Sequence, residues 1–368
     1  MNTAVFIGRF QPPHLAHLQT ITQALARFDR LIVVLGSAYC YPNPKNPFST
    51  EAREAMIRAS LPPDQARLHF VAIADDYYGE TRWFHSVRAA VEALTGPNAR
   101  IYITGYYKDE SSYYLHGFDD WPFEPSSVVS PLSATEVRNR YFGGSADWQA
   151  MVPKAVEQYM QQFATTAEFK RLKDEWETIQ RYRSLEQGYP YPILHVATHA
   201  TVLAQKQLLL IERRGAFGQG AWALPGGYVG PKETLLESAL RKLREETGLE
   251  LQAQHLVVNS GRSPSVPKGI VHLASKAFDY PDRSLRGRVI SLGHFFDLGD
   301  LPPPAVRGQD GADRSSAAHR DAARAFWLPL SELDANQARF FEDHYLQICW
   351  FLGRAPHQPA LSQGKESL

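Results

Sequence analysis

Gly8-Arg9-Phe10-Gln11-Pro12-Pro13-His14-Leu15-Ala16-His17 is the stretch on which the fold of this chain turns. It follows an apolar run, Ala4-Val5-Phe6-Ile7, that reads as a buried strand. It precedes Leu18 to Phe28, where Leu18, Ile21, Leu25 and Phe28 recur at helical spacing. The glycine and both histidines therefore fall where a strand turns into a helix N-terminus. Unpaired N–H groups and the helix dipole make such a place favourable for anions. Gly8 lets the backbone approach a phosphate. His14 and His17, three residues apart, share a face of a helical first turn and can donate hydrogen bonds to a phosphoryl group in transfer. A histidine pair at this spacing is commonplace; the strand, the glycine and Arg9 turn the reading toward phosphate chemistry.

Working outward, Leu31 to Leu35 is a continuous apolar run, the mark of a strand buried on both faces. With the first strand and helix it forms a βαβ unit, hence a parallel sheet. Gly36-Ser37-Ala38 follows at the end of that strand where such sheets bind ligands. Lys45-Asn46-Pro47-Phe48-Ser49 comes next, with Lys45 a candidate phosphate contact and Thr50 the expected cap of a helix through Arg53, Met56 and Ile57. A third strand, Leu68 to Ile73, ends in Asp75-Asp76-Tyr77-Tyr78, with Trp83 beyond; an acidic and aromatic cluster there can bind a base and its ribose. Arg100 to Gly105 reads as a fourth strand and Val128-Val129 as a short fifth. Ser133-Ala134-Thr135-Glu136-Val137-Arg138 opens another helix, with Ser133 and Glu136 spaced for a capping box. Its hydroxyls and Arg138 are placed to grip nucleotide phosphates.

The segment G-R-F-x-P-x-H-x-x-H resembles the phosphate-binding segment of the nucleotidyltransferase superfamily, with Ala16 where glycine is usual. The histidine stretch, K-N-P-F-S, the pair Asp76 and Trp83, and S-A-T-E-V-R occur in the order seen in archaeal-type nicotinamide mononucleotide (NMN) adenylyltransferases, over about residues 1–165. The resemblance implies a Rossmann-like domain with a parallel sheet. It implies that ATP and NMN are joined to give NAD and pyrophosphate, with Mg2+ escorting the pyrophosphate. Residues matching Gly8, Arg9, Phe10, Lys45, Ser133 and Thr135 would bind ATP and its phosphates. His14, His17 and Arg138 would serve the transfer, and Asp76 and Trp83 would hold the mononucleotide, the indole on nicotinamide. No protein nucleophile is needed: the NMN phosphate attacks the α-phosphorus while the protein positions and neutralises. Nicotinic acid mononucleotide stays open as an acceptor.

A length of 368 residues favours two domains. Lys plus Arg and Asp plus Glu are 39 each, so no net field points to nucleic acid or a membrane surface. Cys40 and Cys349 stand far apart and give no disulfide framework, which favours a reducing, cytoplasmic setting. No signal peptide or membrane span is expected. Asp147 to Phe163 reads as a helix closing the first domain, and residues 166–190 as a charged connecting helix punctuated by Gly188-Tyr189-Pro190.

The second domain, expected over 191–353, opens with strands at Ile193 to Val202 and Gln207 to Ile211. Trp222-Ala223-Leu224-Pro225-Gly226-Gly227 follows, then Glu233 and Arg241-Lys242-Leu243-Arg244-Glu245-Glu246-Thr247-Gly248-Leu249. Glu233, Glu237, Arg241 and Glu245 recur every fourth residue, as along one helix face. Glu233 can pair with Arg241, and Glu245 and Glu246 offer hard oxygen ligands suited to Mg2+ (or Mn2+) at a pyrophosphate. The spacing resembles the Nudix box, G-x5-E-x7-R-E-U-x-E-E-x-G-U with U aliphatic, so Gly227, Glu233, Arg241 and Gly248 fall on its framework. Lys242 stands where that box has a glutamate. The segment Pro281 to Arg288, before the strand Val289 to Phe296, resembles bacterial fusions of the two enzymes, whose Nudix domain is of the ADP-ribose pyrophosphatase kind.

The resemblance implies an α/β/α domain with a mixed sheet that cuts ADP-ribose to AMP and ribose 5-phosphate. Lys242 leaves open a second reading, a nucleotide-binding module that regulates without hydrolysis. One of Asp310, Asp313 and Asp321, in a polar loop, could supply a further ligand or base. Phe326 to Leu333 reads as the closing strand and short helix, Phe340 to Leu352 as a last apolar helix, and 354–368 as a disordered tail. No basic recognition helix follows residue 330, which argues against a DNA-binding regulator. The expected partners are small nucleotides (ATP, NMN, NAD, ADP-ribose), with self-association left open.

Overall fold

The apolar runs of the first strands alternate between two faces, and that alternation builds the first layer system. The computed structural model describes residues 1–63, 65–96, 98–107, 114–127, 132–251, 257–258, 271–306 and 322–359. Strands β1 (Asn2–Gly8), β2 (Arg30–Leu35), β3 (Leu68–Ala72), β4 (Arg100–Gly105) and β5 (Phe123–Pro125) form one sheet in the order β3-β2-β1-β4-β5, every pair parallel. Val5, Ile7, Ile32, Val34 and Ile103 face one way and pack with Val87 and Val91 of α3 (Glu80–Thr95). Ala4, Phe6, Leu31 and Val33 face the other way and pack with Ile21 and Ala24 of α1 (Leu15–Arg27). Helices thus cover both faces, which is why these strands are apolar without interruption. The order reverses between β1 and β4, the switch point at which such sheets bind ligands.

Helix α2 (Thr50–Ala59) is capped by Ser49, whose side chain accepts the Ala52 N–H; the expected cap Thr50 is already its first residue. Val128 and Val129 lie outside the described residues, and the fifth strand runs at Phe123–Pro125. Helix α4 (Ala134–Phe142) starts after Ser133, yet no capping bond forms from that side chain. Glu136 pairs forward with Arg140 at 2.7 Å instead of reaching back. The expected helix from Asp147 to Phe163 is split into a 3-10 turn (Asp147–Met151) and α5 (Lys154–Phe163). Pro153 stands at the break and Val152 before it is extended, as a residue preceding proline prefers. The connecting helix is α6 (Ala167–Glu186).

The chain divides into two compact units, Met1–Trp176 together with the residues from His357 onward, and Glu177–Pro356. The second contains β6 (Leu194–Ala204), β7 (Gln207–Arg213), β8 (Trp222–Ala223), β9 (Gly226–Tyr228), α7 (Leu235–Thr247), β10 (Val257–Val258), β11 (Val271–Phe278), β12 (Arg288–Asp297), β13 (Ala322–Pro329) and α8 (His344–Phe351). Among the described residues the sheet order is β10-β11-β12-β6-β7-β13, with β8 on β7 and β9 on β6. It is mixed: β6 and β12 run parallel over their whole length, while β6–β7, β7–β13 and β11–β12 are antiparallel. Helix α7 packs on β6 and β9, and α8 sets Trp350 and Phe351 against Phe278 of β11. The last helix is shorter than the apolar run suggests, because Phe340 is extended and bridges to Trp222. Among the described residues no helix is long and apolar enough to cross a membrane.

Candidate active sites

In the first unit the loop after β1 is held from three sides. Phe10 has a φ of 51° and turns its ring inward, edge-on to Phe6 and 4.7 Å from the His17 ring. At 1% exposure its side chain is core, so of this expected phosphate contact only the backbone faces the loop. A Cβ on Gly8 would stand 3.0 Å from that ring, a close contact that Phe10 would have to relieve by a small shift. The Gln11 carboxamide makes a reciprocal pair with Phe48, donating to its carbonyl at 2.8 Å and accepting its N–H at 3.0 Å. This ties the Lys45–Ser49 segment to the loop. Lys45 itself lies half-buried on a turn closed by Asn43 and Asn46.

Helix α1 begins with a cap made of the two histidines. His14 is the N-cap; its Nδ1 accepts the His17 N–H at 3.4 Å, and the His17 Nδ1 accepts the His14 N–H at 3.2 Å. Their rings stack with centroids 3.5 Å apart and 14° between planes. A Nδ1 that accepts from the backbone carries no proton, so each neutral ring carries its proton on Nε2. The cap therefore does two things: it satisfies N-terminal donors and puts the proton of each neutral imidazole on Nε2.

Two arginines close on this loop. Arg138, buried on α4, donates to the Gln11 carbonyl at 2.6 Å and to the Thr135 hydroxyl at 3.2 Å. Burial, and then the positive charge of Arg9, pull its pKa down to about 9. Arg53, 1% exposed, donates to the carbonyls of Arg9 (2.7 Å), Gly36 (2.8 Å) and Ser49 (3.2 Å). Neither Arg53 nor Gln11 was assigned a role from the sequence. A signal existed for Arg53: it occupies the apolar face of α2 with Met56 and Ile57, where a charge must have buried partners.

Asp76 and Trp83 sit past the end of β3. Asp76 is buried against Arg82, with contacts of 2.9 and 3.2 Å, and Trp83 packs edge-on to Phe84 at 5.2 Å. A relay joins them to the histidine loop: the Gly36 N–H donates to the Gly8 carbonyl at 2.9 Å, and Asp75 accepts from the Ser37 N–H (3.2 Å) and hydroxyl (2.8 Å). Asp75 was quoted in the sequence but given no separate role.

In the second unit Glu233 precedes α7 and does not share its helical face; Thr234 is the N-cap and forms a capping box with Glu237. Glu237 is thereby committed to the helix start. Glu233 nonetheless reaches Arg241 with bonds of 2.6 and 2.7 Å and accepts the Gly230 N–H at 2.6 Å. The Arg241 guanidinium, and then that N–H, hold its carboxyl at about 2. Gly248 ends the helix with φ 78°, a left-handed position suited to glycine.

Glu246 is 5% exposed and accepts the Gly226 N–H at 2.9 Å. Glu245 meets Arg241 at 3.1 Å and the Lys242 ammonium at 3.6 Å. Lys242 also lies under the glycine loop, since a Cβ on Gly227 would stand 2.8 Å from its Cε. Beneath the loop His344 accepts the Leu224 N–H at 2.9 Å, and His199 lies 4.4 Å from it and 2.6 Å from the Ser291 hydroxyl. Burial pushes both histidines down, His199 to about 3. Among the described residues no three metal-ligating side chains come together, so the box itself brings two carboxylates, Glu245 and Glu246. Their hard oxygens, one pair buried, suit a divalent cation. Asp310, Asp313 and Asp321 lie outside the described residues.

A parallel sheet with a histidine-capped phosphate loop, followed by a mixed sheet carrying a Glu–Arg braced glycine loop, defines a nucleotidyltransferase joined to a Nudix domain. Residues 5–140 match the cytidylyltransferase-like family and 193–351 the NUDIX domain family. A nicotinamide/nicotinic acid mononucleotide adenylyltransferase of Acinetobacter baylyi is 41% identical over 174 residues, 47% of this chain and 92% of that protein. A crystal structure of a bifunctional NMN adenylyltransferase/ADP ribose pyrophosphatase from Francisella tularensis matches with a TM-score of 0.84 and 30% identity, over 96% of this chain and 98% of that one. The same protein complexed with AMP and a Mn ion matches with a TM-score of 0.82. The chain belongs to this family of bifunctional NMN adenylyltransferase/ADP-ribose pyrophosphatases.

Proposed function

We propose that the first unit transfers the adenylyl group of ATP to nicotinamide mononucleotide, and that the second hydrolyses ADP-ribose to AMP and ribose 5-phosphate. In the transfer a phosphate oxygen of the mononucleotide attacks the α-phosphorus, the bond to the β-phosphate oxygen breaks, and pyrophosphate leaves. The reciprocal cap of His14 and His17 carries this reading, because it sets both imidazoles at a helix N-terminus beside the glycine loop, where backbone donors and the helix dipole favour phosphate. Arg9, Lys45 and Arg138 supply positive charge to the triphosphate, and Ser133 and Thr135 supply hydroxyls at the start of α4. Gly8 and Phe10 set the loop's shape. Asp76, oriented by Arg82, and Trp83 hold the mononucleotide.

In the second unit Glu245 and Glu246 hold the divalent cation, Mg2+ first and Mn2+ as its replacement, on the frame of Gly227, Glu233, Arg241 and Gly248. Once bound, the cation draws charge from the pyrophosphate oxygens and lowers the pKa of bound water. Glu245 is shared with Arg241 and Lys242, so the cation competes with two protein cations for that carboxylate. The Francisella tularensis complex with AMP and Mn supports metal and nucleotide use here. The working boundaries are 1–165 for the transferase, 191–353 for the Nudix domain, and a cytoplasmic setting.

The test is NAD synthesis from ATP and NMN together with AMP release from ADP-ribose, in the native chain, Glu246→Gln and Lys242→Glu. The expected result is both activities in the native chain, with hydrolysis alone lost in Glu246→Gln. Lys242→Glu is expected to lower the half-saturating metal concentration about tenfold, one added ligand and one charge removed. Hydrolysis present only in Lys242→Glu would replace this account of the second unit with nucleotide binding.

A further inference from the structure

We infer that the segment following the second unit belongs to the adenylyltransferase site, and that Gln358 is a positioning residue for the loop that holds the mononucleotide. The inference rests on the role proposed above for Asp76. Among the described residues, strand β3 is the outer strand of its sheet, so its continuation has one side without a neighbouring strand. The inner side is used by Ile73, whose N–H donates to the Leu35 carbonyl at 3.0 Å and whose carbonyl accepts the Ala38 N–H at 3.1 Å. The next residue, Ala74, is satisfied from 284 positions away: its N–H donates to Gln358 Oε1 at 2.9 Å, and its carbonyl accepts from Gln358 Nε2 at 3.3 Å.

A carboxamide carries one acceptor and a donor in the same planar fork as a peptide group. Gln358 thus does for Ala74 what a residue of an added strand would do. Ala74 is 1% exposed, so its backbone groups depend on this partner. Asp75 and Asp76 follow directly. Asp75 fixes Ser37, and Asp76 meets Arg82. Fixing the peptide at Ala74 fixes the direction in which both carboxylates leave the sheet. His357, Gln358 and Pro359 also group with the first unit, although they follow the second in sequence.

The experiment compares the full chain with Gln358→Ala, Gln358→Glu and a chain stopped after Pro356. The expected result is a KM for NMN raised about fivefold in Gln358→Ala and in the shortened chain, the loss of about one net hydrogen bond. The KM for ATP, kcat and ADP-ribose hydrolysis stay within about twofold. Gln358→Glu keeps the acceptor and loses the donor, so its KM is expected between the two. Hydrogen exchange at the Ala74 amide should quicken wherever KM rises. An unchanged KM for NMN overturns the inference, and so does an equal rise for both substrates, which would mean a general structural role. Absence of NAD synthesis in the native chain would overturn the proposed function itself, whereas an active native chain matched by an equally active Gln358→Ala overturns only this inference.

Discussion

The Arg53 guanidinium donates to the carbonyl oxygen of Arg9 at 2.7 Å, so a buried charge on α2 holds the backbone of the phosphate loop. The same group holds Gly36 and Ser49, which links the ends of β1 and β2 to the start of α2. Replacing Arg53 by Met leaves three carbonyls without this donor. The Ser49 carbonyl keeps the backbone N–H of residue 53, so two carbonyls are left unsatisfied and the expected cost is about 2 kcal/mol or more, at roughly 1–3 kcal/mol for each. Denaturant unfolding should show the first transition lowered and NAD synthesis reduced, with ADP-ribose hydrolysis by the same sample as the control. Unchanged stability would mean that water replaces the guanidinium at no cost.

Arg138 gives a pH dependence with a definite sign. Its pKa is pulled to about 9 by burial and by Arg9, so the cation proposed to meet phosphate is present below that value and lost above it. The KM for ATP should therefore be flat from pH 7 to 8 and rise through pH 9 to 10. Arg138→Lys should raise KM throughout, because one ammonium cannot hold the Gln11 carbonyl and Thr135 in the same fork. A KM that stays flat to pH 10 would mean that Arg138 keeps its charge there, and an unchanged KM in Arg138→Lys would remove it from phosphate binding.

The two glycines of the Nudix loop should respond differently to alanine. A Cβ on Gly226 would lie 2.2 Å from the Thr198 carbonyl oxygen and 2.9 Å from the His199 Cα, both backbone atoms of β6 that cannot yield. A Cβ on Gly227 meets the flexible end of Lys242 at 2.8 Å, which can swing aside. Gly226→Ala is expected to reduce ADP-ribose hydrolysis at least 100-fold, in keeping with loss of positioning, and Gly227→Ala by about tenfold or less. Equal losses would show that the loop itself, not its packing on β6, sets activity.

His199 and His344 predict acid sensitivity of the second unit. Both are buried with pKa values pushed down, His199 to about 3, while an unfolded histidine titrates near 6.5. Between those values the unfolded chain binds more protons, so stability is full above about pH 6.5 and falls as pH drops below it. At pH 5 the loss from His199 is about 2 kcal/mol, and His344 adds to it in the same direction. Thermal unfolding from pH 7.5 to 5 should show it, and His344→Gln should flatten the slope. No slope in the native chain would mean that the rings are reached by water and protonate freely.

The sequence made visible what is local. The strand, glycine and histidine pair lie within a few residues of one another, and their periodicity alone places them on a strand end and a first helical turn. The Glu233–Arg241 brace was legible for the same reason, although the helix begins only after Thr234, because that residue and Glu237 cap one another. The burial of the Phe10 ring was not legible, since its positive φ turns the ring inward and no pattern of neighbours announces that. Ser133 sits at a helix start as expected, but Glu136 finds Arg140 and no capping box forms. Contacts such as Arg53 to Gly36, Asp75 to Ser37 and Gln358 to Ala74 join segments that only the folded sheet brings together.

The last of these bonds has a consequence for synthesis. Chains emerge from the ribosome N-terminus first, and domains commonly fold as they appear. Residues 1–176 can begin to fold early, yet Gln358 is translated only after the whole of the second unit. The nascent transferase therefore waits with the Ala74 peptide lacking its partner until the second unit has been made. That contact can form only after both units have been synthesised, and the order of the gene becomes a timing device for when the segment from Ala74 to Asp76 is set.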